Sequence, residues 1–174
     1  MTRLLAHVAL ALIILAAMFM LVGVQERARA LAEAQRDLAS HAQFTANALD
    51  RVLQIRMTQT FTFAALPSLR GFAASDEAAR PAHAVIAQTE LQAIAAADPN
   101  VRACSITDIG GNVILTTDGS MNKNWGERLF AREALAGQLH ASVPSRDFGE
   151  ISQYYSAPIL DNAGNVAGAL VIRV

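Results

Sequence analysis

Three patterns of apolar and polar positions succeed one another along the chain. Leu4 to Val24 is a run of 21 residues without formal charge, broken only by His7. At about 1.5 Å per residue such a helix is long enough to cross a bilayer. From Gln25 to about Leu66 there is neither Gly nor Pro, and Ala, Leu, Gln, Arg and Glu dominate. That composition predicts one long helix or two nearly continuous ones. Within it Leu38, Ala42, Thr45, Leu49 and Val52 recur at steps of four and three, a seam for a partner helix in the same domain or in a parallel dimer. A second stripe, with Phe44, Leu53 and Met57, is expected to face a domain core. Leu66-Pro67 ends the run, and Pro67 to Pro81 reads as short turns and a broken helix. His83 to Ala97 reads as a helix burying Val85, Ile86, Leu91 and Ile94, and Asp98-Pro99-Asn100 stops it.

After Asn100 the period becomes two. Val101 to Asp108 alternates with Cys104 and Ile106 on one face, and Val113 to Thr117 is a second strand. Asp108-Ile109-Gly110-Gly111-Asn112-Val113 between them is a hairpin turn, since Asp supplies a side-chain turn bond and Gly the positive φ. Strands follow near His140 to Val143, at Ile151 to Leu160 and at Val166 to Val174. The last two are joined by Asp161-Asn162-Ala163-Gly164-Asn165-Val166, the same Asp-x-x-Gly-Asn-Val pattern as the first turn. The fold class is therefore α+β, with a five-stranded antiparallel sheet and a short helix between strands two and three. In the last strand Val166, Gly168, Leu170, Ile172 and Val174 share one face, and Ala167, Ala169, Val171 and Arg173 the other.

The short helix reads from Asn124 to Gly137, with Asn124 as N-cap, Glu127 completing a capping box and Gly137 as the left-handed stop. Arg128 in its first turn opposes the helix macrodipole, which makes sense if an anion lies beside it. The plainer reading pairs Arg128 with Asp118, Glu127 or Glu150, or leaves it in water.

Charge and composition narrow the function. Fourteen basic against fifteen acidic side chains give no global steering toward nucleic acid. Cys104 is the single cysteine and the four histidines are scattered, so neither a disulfide nor a metal site is expected, and no cofactor. Ser142, His140 and Asp147 are the right types for acyl transfer, but neighbours along a strand point apart. There is no phosphate loop or nucleophile elbow, and catalysis is not expected.

The arrangement resembles the Cache family, the PAS-like extracytoplasmic sensor modules of bacterial receptors, over roughly Gln25 to Val174. Three stretches carry the resemblance. One is Ser105 to Ile114, like the family's opening hairpin. Another is Gly126-Glu127-Arg128-Leu129-Phe130-Ala131-Arg132-Glu133-Ala134-Leu135-Ala136-Gly137, like its Arg-x-aromatic helix. The last is Tyr155 to Asp161 with Gly164 to Gly168, like its closing hairpin. The resemblance implies a small ligand between the sheet and the short-helix segment, with Arg128 as the ligand-contacting arginine and Phe130 the aromatic after it. The family's amino-acid-binding subset has a Tyr five residues before that arginine and a second aromatic after the first. Here those positions are Lys123 and Ala131, so an amino-acid receptor is not expected, and Lys123 with Arg128 suits a small organic acid. Trp125 could wall the pocket or staple the turn to the core. Thr117 and Asp118 could offer a hydroxyl and an acceptor. Tyr154 and Tyr155 point to opposite faces, so only one of them is expected to line the pocket.

The expected organisation is a membrane anchor at 1–24, a long stalk helix at 25–66, a helical connector at 67–100 and a PAS-like sensor core at 101–174. The expected function is a membrane-anchored, periplasmic, non-enzymatic sensor module, homodimeric through the long helix. The intact receptor would be a sensor histidine kinase, a chemoreceptor or a diguanylate cyclase. Three readings stand beside it: a ligand-free dimerisation spacer, an exported binding protein cut after Ala30, and a cytoplasmic PAS-like domain. The count of flanking positive charges, Arg3 against Arg27, Arg29 and Arg36, favours the last.

Overall fold

A computed structural model describes every residue except 1, 120, 122 and 148, and side chains from 15 onward apart from those of 16, 17, 28 and 147. The chain divides into two compact units, Met1–Asp50 and Arg51–Val174. Helix α1 runs from Thr2 to Ala64, so the first unit is helix alone. Its described apolar side chains, including Leu31, Leu38, Phe44 and Leu49, stand exposed. Phe44, expected in a core, is 74% exposed. The seam through Leu38, Ala42, Thr45, Leu49 and Val52 is likewise exposed. The predicted span from Leu4 to Val24 falls for the most part outside the described side chains. Among the described residues no helix is long and apolar enough to cross a membrane.

The second unit opens with the last turns of α1. Leu53, Arg56, Met57, Thr60, Phe63 and Ala64 are buried or half-buried, spaced three and four apart along one face of the helix. The helix stops because Leu66, preceding a proline, takes an extended backbone (φ −60°, ψ 133°). Pro67 then opens α2 (Pro67–Ala74), at a position where no N–H is needed. Helix α3 spans Arg80–Ala97 with Pro81 in its first turn, three residues earlier than the sequence reading placed it. Its buried side is Ala87, Leu91 and Ile94, whereas Val85 and Ile86 face outward. Leu91 and Ile94 are buried as expected, while Val85 and Ile86 lie beside the Ala87, Leu91 and Ile94 stripe that meets the sheet.

The strands are β1 (Ala103–Asp108), β2 (Val113–Thr116), β3 (His140–Ala141), β4 (Ser145–Asp147), β5 (Glu150–Ser152), β6 (Tyr154–Leu160) and β7 (Val166–Arg173), with α4 (Leu129–Leu135) between β2 and β3. Five form an antiparallel sheet in the order β2-β1-β7-β6-β3, and β4 and β5 form a separate hairpin. The single strand expected from Ile151 to Leu160 is thus two. Glu150–Ser152 pairs with Ser145–Asp147, and the break falls at Gln153, whose peptide exchanges two hydrogen bonds with Val174.

One sheet face carries Cys104, Ile106, Ala157, Ile159, Leu170 and Ile172, buried against Leu69 and Phe72 of α2, Leu91 and Ile94 of α3, and Ala64 of α1. Each buried Leu, Ile or Phe among them contributes about 1.5–3 kcal/mol. Gly168 is required where it stands, since a Cβ there would run into the carbonyl oxygen of Thr107 on the neighbouring strand.

The two Asp-x-x-Gly-Asn turns are chemically the same. Asp108 Oδ1 accepts from the amides of Gly110 and Asn112, both at 2.9 Å. Asp161 Oδ1 accepts from those of Ala163 and Asn165, both at 2.8 Å. Gly111 and Gly164 take the left-handed backbone, at φ +79° and +86°.

Candidate functional site

The other sheet face is where chemistry collects. Its cover is α4 and the segment leading into it, positioned by the first turn. Val113 N donates to Lys123 O at 2.8 Å and Trp125 N to Gly111 O at 2.8 Å. Asn124 Nδ2 donates to Gly110 O and to Asn112 Oδ1, while Asn124 Oδ1 accepts from Gly126 N at 2.8 Å. The expected helix N-cap is therefore a turn clamp. Its acceptor bonds the amide two residues on as a cap's would, but its side-chain amide is tied to the first turn, and α4 begins only at Leu129. Arg128 is the residue before the helix, extended (φ −72°, ψ 131°), with no side-chain cap bond. Its carbonyl accepts from Ala131 and Arg132, at 3.0 and 2.9 Å. The argument from an anion at the helix start falls with this shift, because Arg128 lies outside the first turn.

At the far end Gly137 has φ +86°. Gly137 N donates to Ala134 O and Gln138 N to Glu133 O, both at 2.9 Å, a Schellman closure. Between these ends Phe130, Ala131, Tyr154 and Val171 form a second buried cluster with Trp125 against it. Phe130 stacks on Tyr154 at 4.3 Å and 9°, and Trp125 meets Phe130 edge-on at 5.7 Å. Ser156 Oγ donates to Phe130 O at 2.6 Å, tying the helix to β6.

A cavity of about 290 Å³ opens beside this cluster, lined by Arg128, Phe130, His140, Ser142, Val143 and Tyr154 among others. Three of the sequence-predicted site residues, Arg128, Phe130 and Tyr154, meet there, and Trp125 braces Phe130 from behind. The other four do not line it. Thr117 Oγ1 accepts from the Cys104 amide at 2.9 Å, a bond that closes the β1–β2 pair. Asp118 Oδ2 pairs with Arg173 Nη2 at 3.1 Å. Lys123 is exposed in the loop.

Tyr155 is on the opposite face. There it lines a second cavity, of about 230 Å³, with Arg56, Thr60, Phe63, Asp98 and Ile172. Both tyrosines therefore line cavities, on different faces, where the sequence reading allowed only one. Burial raises the Tyr155 hydroxyl above its usual pKa, partly offset by the Arg56 guanidinium. Arg56 in turn forms an ion pair with Asp98.

Sequence reasoning missed a polar chain on the sheet face beside Tyr154. Arg173 is the cross-strand partner of Tyr154 and of Ala103. Asp118 accepts from Arg173 with one oxygen and from Thr116 Oγ1 with the other, at 2.8 Å. Thr116 Oγ1 is thereby committed as donor, so the 2.8 Å contact between Ser105 Oγ and Thr116 Oγ1 runs from Ser105. The legible signal was Arg173 itself, a charge on the same face as Val171 and Ala169 in a buried strand. His140 and Ser142 had been weighed only as catalytic groups. Ser142 Oγ accepts from Tyr154 N at 2.9 Å and donates to Val143 O at 3.0 Å, so its proton is directed away from any base. Among the described residues no group of three or more His, Cys, Asp and Glu could hold a metal ion.

No family model and no curated protein matches the chain. Solved structures do. The sensor domain of the Vibrio cholerae histidine kinase DctB matches at TM-score 0.62 and 19% identity, over 83% of this chain and 55% of that one. The Escherichia coli DcuS sensor domain matches at 0.58 and 17%, over 72% and 89%. The ligand-binding domain of the Pseudomonas aeruginosa amino acid chemoreceptor PctC, in complex with GABA, matches at 0.54 and 20%, over 76% and 59%. The chain thus spans between half and two thirds of the DctB and PctC chains. The likeness is one of fold, the PAS-like architecture of extracytoplasmic sensor domains.

Proposed function

We propose that this chain is the extracytoplasmic small-molecule sensor module of a bacterial receptor, anchored by the apolar run at 4–24 and binding a small organic acid. One observation carries the reading: Arg128, Phe130 and Tyr154 line a single cavity on the sheet face away from α2 and α3, in a fold shared with receptor sensor domains. A cavity with apolar walls and a few convergent polar groups is the usual form of a small-ligand site. The output is a histidine kinase, a chemoreceptor or a cyclase, and the exposed α1 seam through Leu38, Leu49 and Val52 serves a homodimer.

Thermal unfolding of the full chain in detergent, against organic acids, amino acids and amines, tests the reading. A ligand at about 100 times its dissociation constant adds roughly 2.7 kcal/mol. That stabilisation should appear with a carboxylate and vanish in Arg128→Ala. A folded protein that responds to none of the panel would overturn it in favour of a ligand-free spacer. An alkaline phosphatase fusion after Val174 should be active, and an inactive one would refute the extracytoplasmic placement.

A further inference from the structure

We infer that the cavity takes a small monocarboxylate with an apolar body, and that His140 is a second group touching it. The inference rests on the organic-acid reading above and narrows it.

Five observations lead there. The basic side chains described in the lining are Arg128 and His140, a permanent cation with a planar fork for carboxylate oxygens and an imidazole that offers a hydrogen-bond donor. The register fixes where His140 stands. It pairs across the strand with Ser156, so it shares the face on which Ser156 Oγ holds the Phe130 carbonyl. The imidazole therefore rises beside the aromatic wall.

The apolar surface left open in the lining is that of Leu129 and Val143, at 51% and 80% exposure, beside the buried stack of Phe130 on Tyr154. A hydrocarbon body laid against them would remove apolar surface from water that the protein alone does not cover. The volume, about 290 Å³, lies at the small end for ligand sites.

The neighbouring charges set the ligand's charge pattern. Arg173, beside Tyr154 on the same face, is already engaged by Asp118. A second carboxylate on the ligand would have to displace Asp118 to reach it. An α-amino acid would bring its ammonium up to the guanidinium that holds its carboxylate, a like-charge contact.

Isothermal titration of the full chain in detergent with benzoate, isovalerate, succinate and leucine tests this, on the native protein, Arg128→Ala and His140→Ala. Benzoate or isovalerate should bind more tightly than succinate and leucine. Arg128→Ala should weaken that binding about 10- to 100-fold, as for a lost charge-assisted bond, and His140→Ala about 3- to 10-fold. The imidazole resonances of His140 should shift on benzoate addition, and His140→Gln, which keeps a donor, should recover part of the loss.

Tighter binding of succinate or leucine would overturn the ligand class. Monocarboxylate binding that is lost in Arg128→Ala, untouched in His140→Ala and silent at the imidazole would overturn the role of His140 while leaving the organic-acid reading standing. No carboxylate binding by a protein that melts cooperatively would overturn that reading itself.

Discussion

Alanine at Gly111 is expected to destabilise the protein well beyond alanine at Gly164, although the two turns are matched in sequence, hydrogen bonding and backbone angle. Both substitutions force a side chain into the left-handed region, at about 1–2 kcal/mol. At Gly164 the new Cβ meets nothing within 4 Å. At Gly111 it overlaps Cα and N of Gly126 and stands 3.3 Å from the carbonyl carbon of Trp125. Gly126 cannot retreat freely, because Asn124 Oδ1 holds its amide and Trp125 N is bonded to Gly111 O. Overpacking of this kind adds about 1–3 kcal/mol, and a broken hydrogen bond about 1 more. Gly164→Ala should therefore lose about 1–2 kcal/mol and Gly111→Ala about 3–6. Urea unfolding followed by the fluorescence of Trp125, the only tryptophan, reads the difference at the loop concerned. Equal losses in the two variants would show that the segment entering α4 is not docked on the first turn, and the account of how Arg128 is positioned would fail with it.

Burial pushes the Cys104 thiol up to about 12. A disulfide reagent at pH 8 should label it only as fast as the protein unfolds, and rapid labelling of the folded chain would contradict the core described. Phe130→Ala should lose about 3–5 kcal/mol. A double-mutant cycle with Tyr154→Ala should return a coupling of about 0.5–1.5 kcal/mol for the stacked pair, and additivity would refute the stacking. Asp98 is held below its usual 3.8 by the Asn100 amide and Arg56, and Asp161 by the Asn165 amide. Both carboxylates bind protons less readily when folded, so their contribution is present above about pH 4 and is lost as the pH falls through the lowered folded values. Urea midpoints should be level from pH 7 to 5 and fall below 4, with a shallower fall in Asp161→Asn. An unchanged fall would remove Asp161 from the account.

The strands and turns were legible because their signals are local. Asp108 and Gly111 close a hairpin with bonds reaching four residues at most, and the repeat at Asp161 and Gly164 reads the same way. The errors came where a residue's partner is distant. Asn124 looks like a helix cap until Gly110 and Asn112 claim its amide. Val85 and Ile86 look buried until the sheet selects the face carrying Ala87, Leu91 and Ile94. Gln153 has nothing in its neighbourhood to mark it as a strand break, because the bonds that fix it go to Val174. The site divided along the same line. Arg128 and Phe130 share one helix entry, and Tyr154 followed from alternation. The pairing of Asp118 with Arg173 spans 55 residues, and no periodicity encodes it.

The adjacent tyrosines of β6 leave the strand with a proofreading problem. A slide by one residue against β7 that carries Tyr155 into the place of Tyr154 exchanges one phenol for another against Phe130, while Ser156 takes the place of Tyr155. On the Phe130 face the rings alone discriminate poorly between the right alignment and the wrong one. The peptide groups of Tyr154 bond Ser142, on the side away from β7. By the two-residue alternation, Pro158 also turns its missing N–H away from β7. Slid by one, Pro158 would present that gap to the ladder in the middle of the sheet. A proline four residues beyond the first tyrosine thus edits the alignment that decides which of the two lines the cavity beside Arg128.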